Sequence, residues 1–367
     1  MRKSLMVMSD FLFSLHMNKI LVTGGCGYIG AHTIVDLIEN GFDVISADNN
    51  SRSSDVILES VEKITGKKVK NYKVDLCIYD DTVAIFQENP GISGIIHFAA
   101  FKSVGESVKK PLLYFENNLN SLINILKCAD EFNIENFVFS SSCTVYGNPD
   151  IIPVTEESPL KAAESAYGAT KQMGEQIVQE AVNCNNTKAI LLRYFNPVGA
   201  HPSSLIGEMP LGRPENLVPA ITQTAIGKLP MMQVWGNDYE TRDGSCVRDY
   251  IHVCDIAHAH TLALNYLLEN KNRSNCDVFN LGTGDGHTVL EVIKEFEKAS
   301  GVKLNYKMGP RRSGDVIAIY ANNDKAKSVL GWNPKFSLYE MLETAWKWEL
   351  KLKEDENIFN IKNADLN

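Results

Sequence analysis

Residues 20–30 read ILVTGGCGYIG, an apolar run followed by a glycine-rich turn. The apolar run predicts a buried strand, and the apolar positions within residues 32–40 predict a helix. Gly24, Gly27 and Gly30 allow a tight turn whose backbone can approach a pyrophosphate, to which the helix N-terminus offers unpaired N–H groups. The stretch therefore predicts a strand, a turn and a helix that together bind a dinucleotide.

Beyond this stretch, apolar runs continue to alternate with helical patterns. Strands are predicted at residues 20–22, 44–47, 69–74, 94–99, 137–139 and 189–192, and helices at residues 32–40, 56–65, 82–88, 111–132 and 167–181. Strands that alternate with helices form a parallel sheet that is covered on both faces. We therefore predict an α/β fold with a Rossmann-type doubly wound parallel sheet.

The amino-acid composition changes after Gly199, and residues 201–250 are rich in Gly, Pro and Asn. Helices are predicted at residues 217–227, 255–269, 288–299, 325–330 and 338–351, and strands at residues 232–235 and 278–281. We expect these elements to form a second, smaller α/β lobe that binds the substrate. The predicted boundaries are 1–17 for an N-terminal extension, 18–198 for the dinucleotide-binding domain, 199–249 and 283–353 for the lobe, 250–282 for a segment returning to the sheet, and 354–367 for a polar tail.

The composition excludes several classes of protein. The chain has 367 residues, 44% hydrophobic and 22% charged, with a formal net charge of -9. Because no run rich in Lys and Arg occurs, nucleic acid is not an expected partner. No stretch reaches the roughly 20 apolar residues that a membrane span needs, so no membrane association is expected. The eight cysteines are scattered without a C-x-x-C pair, which favours reduced thiols and a cytoplasmic location.

The N-terminal residues 1–16 begin with basic residues and continue with an apolar stretch, which loosely resembles a secretory signal peptide. Asp10 interrupts the apolar run, and no small-residue cleavage site precedes the first strand. Met17 would itself be a natural start. We therefore interpret residues 1–16 as a dispensable extension, with secretion as the alternative.

Two aspartates end predicted strands near the glycine-rich turn. Asp48 ends the second strand, 18 residues after Gly30. A carboxylate at that position accepts hydrogen bonds from a ribose diol and repels a 2′-phosphate, which favours NAD over NADP. Asp75 ends the third strand and could hold the adenine amino group, or it could simply cap the strand end.

Tyr167 and Lys171 follow a cluster of hydroxyl residues that leaves the fifth strand. A tyrosine phenol has a reference pKa of about 10, so it needs nearby positive charge to act as a base. On a helix Lys171 shares a face with Tyr167, and its ammonium together with a positively charged nicotinamide ring would favour the phenolate. Ser142 and Thr144 follow the strand at the sheet edge where ligands bind. This pattern indicates proton and hydride transfer, and its alternative is an ordinary exposed helical turn.

A group of potential metal ligands occurs at His252, Cys254, Asp255, His258 and His260. Their order is not H-E-x-x-H, and the last two histidines would point to different faces of a helix. We expect no metal site.

At these residues the chain resembles the extended short-chain dehydrogenase/reductase family, and within it the 4-epimerase branch that acts on UDP-glucose and UDP-galactose. The stretches that carry the resemblance are 21–30 (LVTGGCGYIG), 96–99 (IHFA), 104–109 (VGESVK), 137–147 (FVFSSSCTVYG), 193–197 (RYFNP), 234–239 (VWGNDY), 244–253 (GSCVRDYIHV), 280–283 (NLGT) and 311–321. Dehydratases of the wider family typically carry an acidic pair after the serine-bearing strand, and Cys143-Thr144 lacks it.

The resemblance implies that NAD stays bound while a UDP-hexose is oxidised at C4, rotates as the 4-keto sugar and takes the hydride back on its opposite face. The implied catalytic residues are Ser142, Thr144, Tyr167 and Lys171. The implied cofactor-binding residues are Gly24, Gly27, Tyr28, Ile29, Gly30, Asp48, Asn49, Asp75, Leu76, Phe98, Ala99, Lys102, Asn118, Tyr167, Lys171 and Tyr194. The implied substrate-binding residues are Ser142, Tyr167, Asn196, Asn216, Leu217, Trp235, Arg248, Arg312, Asp315 and Ile319.

The chain departs from the family pattern at Cys143, Glu215 and Trp235, where Ala, Asn and Phe are usual. Ile319 falls at the position thought to set the size of the sugar pocket. We expect UDP-glucose and UDP-galactose to react well and the N-acetylated pair weakly or not at all. The alternatives are a 4-epimerase of another UDP sugar (N-acetylhexosamine, pentose or uronate) and a catalytically silent NAD-binding regulatory protein.

The helices predicted at residues 111–132 and 167–181 carry more apolar residues than one sheet needs. The resemblance implies that they pair across a two-fold axis in a homodimer. The alternative is that they cover only their own sheet.

Overall fold

A computed structural model describes residues 17–210, 212–312 and 316–354. Its main sheet has seven parallel strands in the order β10-β6-β5-β4-β1-β2-β3. These strands are β1 (Lys19–Thr23), β2 (Asp43–Ala47), β3 (Lys70–Tyr72), β4 (Ile92–His97), β5 (Asn136–Ser142), β6 (Lys188–Tyr194) and β10 (Cys276–Leu281). The predicted Rossmann-type parallel sheet is therefore confirmed, whereas the predictions for residues 1–16, Asp315 and residues 355–367 lie outside the described residues.

Ten α-helices surround the strands in the part of the chain that the structure describes. They are α1 (Tyr28–Glu39), α2 (Val56–Thr65), α3 (Tyr79–Glu88), α4 (Val104–Lys109), α5 (Pro111–Glu131), α6 (Ala166–Cys184), α7 (Leu217–Ala225), α8 (Val253–Leu268), α9 (Val289–Ser300) and α10 (Leu338–Glu354). A 3₁₀ turn at Cys143–Tyr146 and a π-helical turn at Ala326–Leu330 complete the set. Across the described ranges, none of these helices combines the length and hydropathy needed to cross a membrane.

Burial on both faces explains why the strands of the main sheet read as continuous apolar runs. Ile20 and Val22 of β1 pack into a cluster shared with α1 and α8. Leu21 points the other way, into a cluster shared with α5 and α6. All three side chains are completely buried. Ligands can therefore reach this sheet only at the ends of its strands.

The second lobe is built on two small sheets. Its strands are β7 (Asn196–Val198), β8 (Met232–Trp235), β9 (Val247–His252), β11 (Gly286–Thr288), β12 (Tyr306–Gly309) and β13 (Ala318–Ile319). Strand β9 pairs with β7, β11 and β13, and β8 pairs with β12. Helices α7, α9 and α10 share one apolar cluster with these strands. In between, α8 packs against the main sheet and β10 extends it beside β6.

Two element boundaries differ from the sequence prediction for a reason that the structure shows. Strand β5 continues through the serines to Ser142 instead of ending at residue 139, because the Ser140 and Ser141 hydroxyls find buried partners in Tyr194 and Glu175. Helix α8 begins two residues before Asp255, the predicted start. The His252 ring caps it by accepting from Cys254 N at 3.1 Å.

The carboxylate of Asp255 is used elsewhere. It accepts hydrogen bonds from the backbone N–H groups of Lys335 and Phe336 at 3.0 and 3.2 Å.

The sequence did not predict the short elements α4, β7, β9, β11, β12 and β13. These elements have two to six residues each, too few for periodicity alone to identify them.

The glycine-rich turn has no room for side chains at its centre. A Cβ atom on Gly30 would lie 2.2 Å from the Gly24 carbonyl oxygen, and one on Gly24 would lie 2.8 Å from Ala99 N. The start of α1 thus sits against the preceding turn, and the turn sits against the end of β4. Glycine is required here for close packing of the backbone.

Gly30→Ala should lower the free energy of unfolding by about 1–3 kcal/mol, because the added methyl group would overlap the Gly24 carbonyl oxygen. Gly168→Ala is the matched control. Gly168 is also helical, but its Cβ would meet its nearest neighbour at an ordinary 3.4 Å, so alanine should be neutral or stabilising. Urea unfolding measures both, and equal effects of the two substitutions would contradict the assigned close approach.

Candidate active site

Four adjacent strands bring the predicted functional residues to one edge of the main sheet. The parallel pairing of β1, β4, β5 and β6 places all four carboxyl ends together. The glycine-rich turn follows β1, Phe98 and Ala99 follow β4, Ser142 ends β5 and Tyr194 ends β6. The edge therefore collects groups from four separate parts of the chain.

The start of α1 can hold an anion. Its N-cap residue Gly27 provides no side-chain cap, so the first N–H groups of the helix have no side-chain acceptor. The close glycine packing brings a bare backbone to this point. Tyr28 begins the helix, and its hydroxyl donates to Gly199 O at 2.6 Å, which ties α1 to the start of the second lobe. Ile29 packs against the neighbouring apolar cluster. A pyrophosphate fits this cradle.

The carboxylate of Asp48 is held beside the same turn. One of its oxygens accepts from Cys26 N at 3.1 Å, and the other accepts from Asn50 N at 2.9 Å and Ser53 Oγ at 2.8 Å. Asn49, next in the chain, accepts from Ser51 N at 3.0 Å. A ribose contact by this fixed carboxylate, next to a pyrophosphate bound at the turn, stays a prediction.

Asp75, which is predicted to hold the adenine, makes a contact that is common at strand ends. The carboxylate of Asp75 is exposed and accepts from Cys77 N at 2.9 Å, which is the contact expected of a strand-end cap. The carbonyl of buried Leu76 accepts from Asn124 Nδ2 at 2.9 Å. An adenine contact by Asp75 therefore stays a prediction.

Asn118 connects the loop after β4 to α6. Its Oδ1 accepts from Phe101 N at 2.8 Å, and its Nδ2 donates to Thr170 Oγ1 at 3.1 Å. The side chain is 6% exposed. This amide therefore orients α6, which carries Tyr167, relative to the cofactor side of the edge.

Lys171 is buried at the centre of the site. Its Nζ donates to Ser140 O at 2.5 Å and lies 5.9 Å from the centre of the Tyr167 ring. The side chain is 4% exposed. Burial lowers the pKa of Lys171 to about 7, and the neighbouring Glu175 carboxylate opposes that fall. The amine can therefore change its charge near neutral pH.

Burial dominates the ionisation of Tyr167. It raises the pKa of the phenol well above its ordinary value, and the Ser142 hydroxyl opposes that rise. The phenolate expected from Lys171 together with a bound nicotinamide ring therefore stays a prediction. A phenolate at Tyr167 therefore needs further positive charge from a bound group.

The Ser142 hydroxyl lies next to this tyrosine, and Thr144 follows Ser142 two residues later. Ser142 Oγ accepts from Thr144 N at 3.2 Å and so starts the 3₁₀ turn Cys143–Tyr146. Thr144 Oγ1 is buried and has no hydrogen-bond partner among the described residues. A buried hydroxyl without a partner is costly, and a ligand oxygen would satisfy it. The hydroxyl thus marks a position for the reacting part of a substrate.

The residues predicted to hold the substrate come from both lobes. Asn196 begins β7 beside Tyr250, half-buried Arg248 lies on β9, and Leu217 begins α7. Trp235 ends β8 and is 39% exposed, and Arg312 is exposed on the segment before the undescribed Asp315.

Ile319 is buried in an apolar cluster with Phe195, Val316 and Cys143. The substitution at Cys143 therefore has a packing role beside the predicted sugar pocket. By contrast, Glu215 lies on the surface, where its Oε2 accepts from Ser103 Oγ at 2.6 Å.

Glu208 was not predicted, yet it joins two predicted binding residues. Its Oε1 accepts from Lys102 Nζ at 2.9 Å and from Asn216 Nδ2 at 2.8 Å. Lys102 belongs to the cofactor set and Asn216 to the substrate set, so one carboxylate oxygen links the two sides. An acidic residue in an irregular loop gave no sequence signal for this role.

A second unpredicted carboxylate supports Arg248. Asp249 is fully buried and accepts from the backbone N–H groups of Thr283, Gly284 and Ala321 at 2.8–3.1 Å. These contacts fix β9 and hence the start of the Arg248 side chain. Strand β9 was not predicted from the sequence, so no sequence signal pointed to this role.

The candidate metal ligands do not converge. His258 Nδ1 lies 3.3 Å from an oxygen of Asp36, His260 pairs with Ile256 O at 2.9 Å, and His252 lies against α10 at Thr344. Within the described ranges, no group of three or more His, Cys, Asp or Glu side chains could hold a metal ion.

Comparison with known proteins places the chain among nucleotide-sugar enzymes. Residues 21–345 match the family model described as GDP-mannose 4,6 dehydratase. The chain is 46% identical to the UDP-glucose 4-epimerase of Schizosaccharomyces pombe over 342 residues, covering 92% of this chain and 95% of the relative. It is also 46% identical to the UDP-glucose 4-epimerase of Bacillus subtilis over 347 residues, covering 94% and 99%.

Two solved structures are similar throughout. The UDP-glucose 4-epimerase of Bifidobacterium longum in complex with NAD+ and UDP superposes with a TM-score of 0.87 at 45% identity, covering 93% of this chain and all of the other. The Stenotrophomonas maltophila enzyme with bound NAD and formylated UDP-arabinopyranose gives a TM-score of 0.88 at 43% identity, covering 92% and 99%.

The lowered pKa of Lys171 predicts a pH-dependent cost to stability. Below about pH 7 both the folded and the unfolded chain bind this proton, so the cost of burying the charge is fully present. At higher pH only the unfolded chain stays protonated, and the free energy of unfolding should rise by about 1.4 kcal/mol per pH unit until the ordinary lysine pKa is reached.

Lys171→Met removes this cost and should stabilise the protein by up to a few kcal/mol at pH 6, with the advantage shrinking toward pH 9. The lost hydrogen bond to Ser140 O reduces the gain. Urea unfolding at several pH values measures it. Lys294→Met, at an exposed lysine, is the control and should give a difference that does not vary with pH. A pH-independent effect of Lys171→Met would contradict the assignment.

Proposed function

The chain belongs to the UDP-glucose 4-epimerase family of extended short-chain dehydrogenases/reductases, and on that premise we propose that it interconverts UDP-galactose and UDP-glucose with NAD as cofactor. The observation that carries the proposal is the unpartnered buried hydroxyl of Thr144. It follows Ser142, the neighbour of Tyr167, at the edge where the glycine-rich turn opens. Such an isomerase belongs to galactose metabolism.

The residues around the glycine-rich turn fit NAD. The bare backbone of the turn and the uncapped start of α1 would hold its pyrophosphate, and Asp48 would hold the adenosine ribose. When bound, NAD supplies a hydride acceptor and a positive charge. We assign the remaining cofactor contacts to Lys102, Asn118 and the other residues of the predicted cofactor set.

Tyr167 is the proposed base and acid for the sugar 4-hydroxyl. Ser142 and Thr144 would hold the 4-oxygen, and Tyr167 would take its proton during oxidation and return it during reduction. Lys171 is anchored by Ser140 O, so it contributes charge from a fixed position. Because burial keeps the phenol protonated in the protein alone, the base should form only when the site is filled.

The second lobe is proposed to anchor UDP while the sugar turns. Asn196, Asn216, Arg248 and Arg312 supply amide and guanidinium donors suited to a diphosphate, and arginine gives bidentate, permanently charged contacts. A nucleotide held on this lobe leaves the 4-keto sugar free to present either face to the main sheet. Hydride removal from one face of the sugar and its return to the other require the nucleotide to be anchored while the sugar turns.

Dehydration is the competing chemistry, because the matching family model is described as a dehydratase. The chain carries Cys143 and Thr144 where the acidic pair of dehydratases is expected, and Cys143 packs into an apolar cluster. Without an acid at that position, elimination of water from the sugar lacks a proton donor. The curated relatives also favour epimerisation.

Purified protein supplied with UDP-galactose and no external reductant should form UDP-glucose until equilibrium, because the reaction has no net redox change. The N-acetylated pair should react weakly or not at all, since buried Ile319 narrows the predicted pocket. Chromatography of the nucleotide sugars follows both. Bound NAD without turnover of any UDP sugar would instead favour a silent regulatory protein.

Tyr167→Phe should lower kcat by about 10²–10⁴-fold, because it removes the proton-transferring hydroxyl. The dissociation constant for UDP should stay within about twofold, since UDP is anchored on the second lobe. Tyr79→Phe is the control, because that hydroxyl pairs with Glu131 on the surface. Full activity of the Tyr167 variant would rule out the assigned base.

We also propose a homodimer. Apolar side chains are exposed on α4, α5 and α6. Val108 on α4 is 62% exposed, Leu112 on α5 is 79% exposed, and Met173 is exposed on α6. Such a patch on neighbouring helices suits a two-fold helix pairing. Light scattering should give twice the 40.8 kDa chain mass. Leu112→Asp should shift the mass toward one chain, and Val329→Asp, at an exposed residue elsewhere, should not.

A further inference from the structure

A buried ion pair lies beneath the candidate site, and the chemistry proposed above does not use it. The side chains of Glu175 and Arg193 are 3% and 5% exposed. Arg193 donates from Nε to Glu175 Oε1 at 2.8 Å and from Nη2 to Oε2 at 2.6 Å. Burying two charges is expensive, and apolar residues of similar size often serve stability as well. The pair therefore calls for a functional explanation.

Hydroxyl groups connect this pair to the end of β5. Ser141 Oγ donates to Glu175 Oε1, and Arg193 Nη1 donates to the Tyr146 hydroxyl at 3.0 Å. Ser141 lies between Ser140, whose carbonyl accepts from Lys171, and Ser142, which flanks Tyr167. The network thus holds the last residues of β5 and the following 3₁₀ turn to α6 and β6.

The helix geometry fixes Glu175 close to Lys171. Glu175 lies one helical turn after Lys171 and two turns after Tyr167, so the three side chains share a face of α6. At Gly174 the helix touches the sheet, because a Cβ there would lie 2.8 Å from the Phe139 ring. The carboxylate therefore has a set distance to the ammonium of Lys171.

Three elements contribute titratable or charged groups around Lys171. Helix α6 gives Tyr167 and Glu175, β4 gives His97, and β6 gives Arg193 and Tyr194. Burial and the nearby ammonium lower the pKa of His97 to about 3, so this ring is neutral. Burial also raises the pKa values of both tyrosines. Among these described groups, Glu175 is the one that carries negative charge.

We propose that Glu175, held by Arg193, is a positioning residue that keeps the Lys171 ammonium charged and fixes the end of β5 under Ser142. The charge role rests on the proposed function, since it assumes that the reaction needs a charged Lys171. Arg193 holds the Glu175 carboxylate in place next to Ser141. Neither residue belongs to the predicted substrate-binding or cofactor-binding residues.

The test is the alkaline side of the pH profile in the NAD-loaded enzyme. Glu175→Gln removes the anion, so Lys171 should lose its proton about one to three pH units lower. The alkaline limb of the pH profile of kcat should move to lower pH by the same amount. Glu180→Gln, on the exposed side of the same helix, is the matched control and should leave the limb unchanged.

The double variant Glu175→Gln/Arg193→Met separates charge from folding. Breaking the pair on one side leaves a buried guanidinium, which can unfold the chain, whereas removing both charges should recover stability. We expect the double variant to fold and to show a smaller lowering of the alkaline limb than Glu175→Gln, because the loss of the Arg193 guanidinium removes a positive charge at the same time. An alkaline limb at the wild-type pH in every folded Glu175 variant would overturn the proposal and leave the pair as a purely structural contact.

A second measurement does not depend on turnover. Titration of ¹³Cε-labelled lysine by NMR, with the Lys171 signal assigned from Lys171→Met, reports the protonation of the amine directly. The signal should titrate lower in both Glu175 variants than in the wild type. An unchanged titration would refute the charge role even if activity fell. A wild-type chain with no epimerase activity would instead refute the proposed function and leave the titration result standing.

Discussion

The parallel pairing of β1, β4, β5 and β6 is the constraint on which the site depends. Both faces of this sheet are buried under helices, so only the ends of its strands are open to ligands. Parallel strands place all their carboxyl ends on the same edge. The glycine-rich turn, the serine cluster and the start of the second lobe meet there because the chain returns to that edge four times.

Burial at this edge sets the chemistry of the groups that gather there. Desolvation raises the pKa of Tyr167 and lowers that of Lys171, so it shifts both groups toward their neutral forms. Positive charge from a bound cofactor would lower the pKa values of both groups, whereas negative charge from Glu175 raises the pKa of Lys171. The site can therefore be held inactive until it is filled, at the cost of burying an amine that is partly charged at neutral pH.

In the proposed mechanism, the second lobe binds the nucleotide and the main sheet carries the reaction. The main sheet supplies a rigid edge with Ser142, Thr144 and Tyr167, and the lobe supplies amide and guanidinium groups at Asn216 and Arg248. Glu208 connects the two sides by accepting from Lys102 and Asn216 with one oxygen. An anchored nucleotide with a freely turning sugar needs this separation, because tight contacts to the sugar itself would hold one face toward the cofactor.

The sequence alone determined the parallel α/β sheet, the glycine-rich turn and the Tyr167–Lys171 pair, because periodicity, glycine spacing and the i, i+4 relation are local properties of the chain. Tertiary structure decided the roles of Glu175, Glu208 and Asp249. Arg193, Lys102 and Thr283 are the respective partners that reveal these roles. They lie between 18 and 106 residues away, and spacing along the chain carries no information about such contacts. The same reason explains why α8 starts at Val253. The Asp255 carboxylate binds a distant segment, and only the folded chain shows that it is unavailable as a cap.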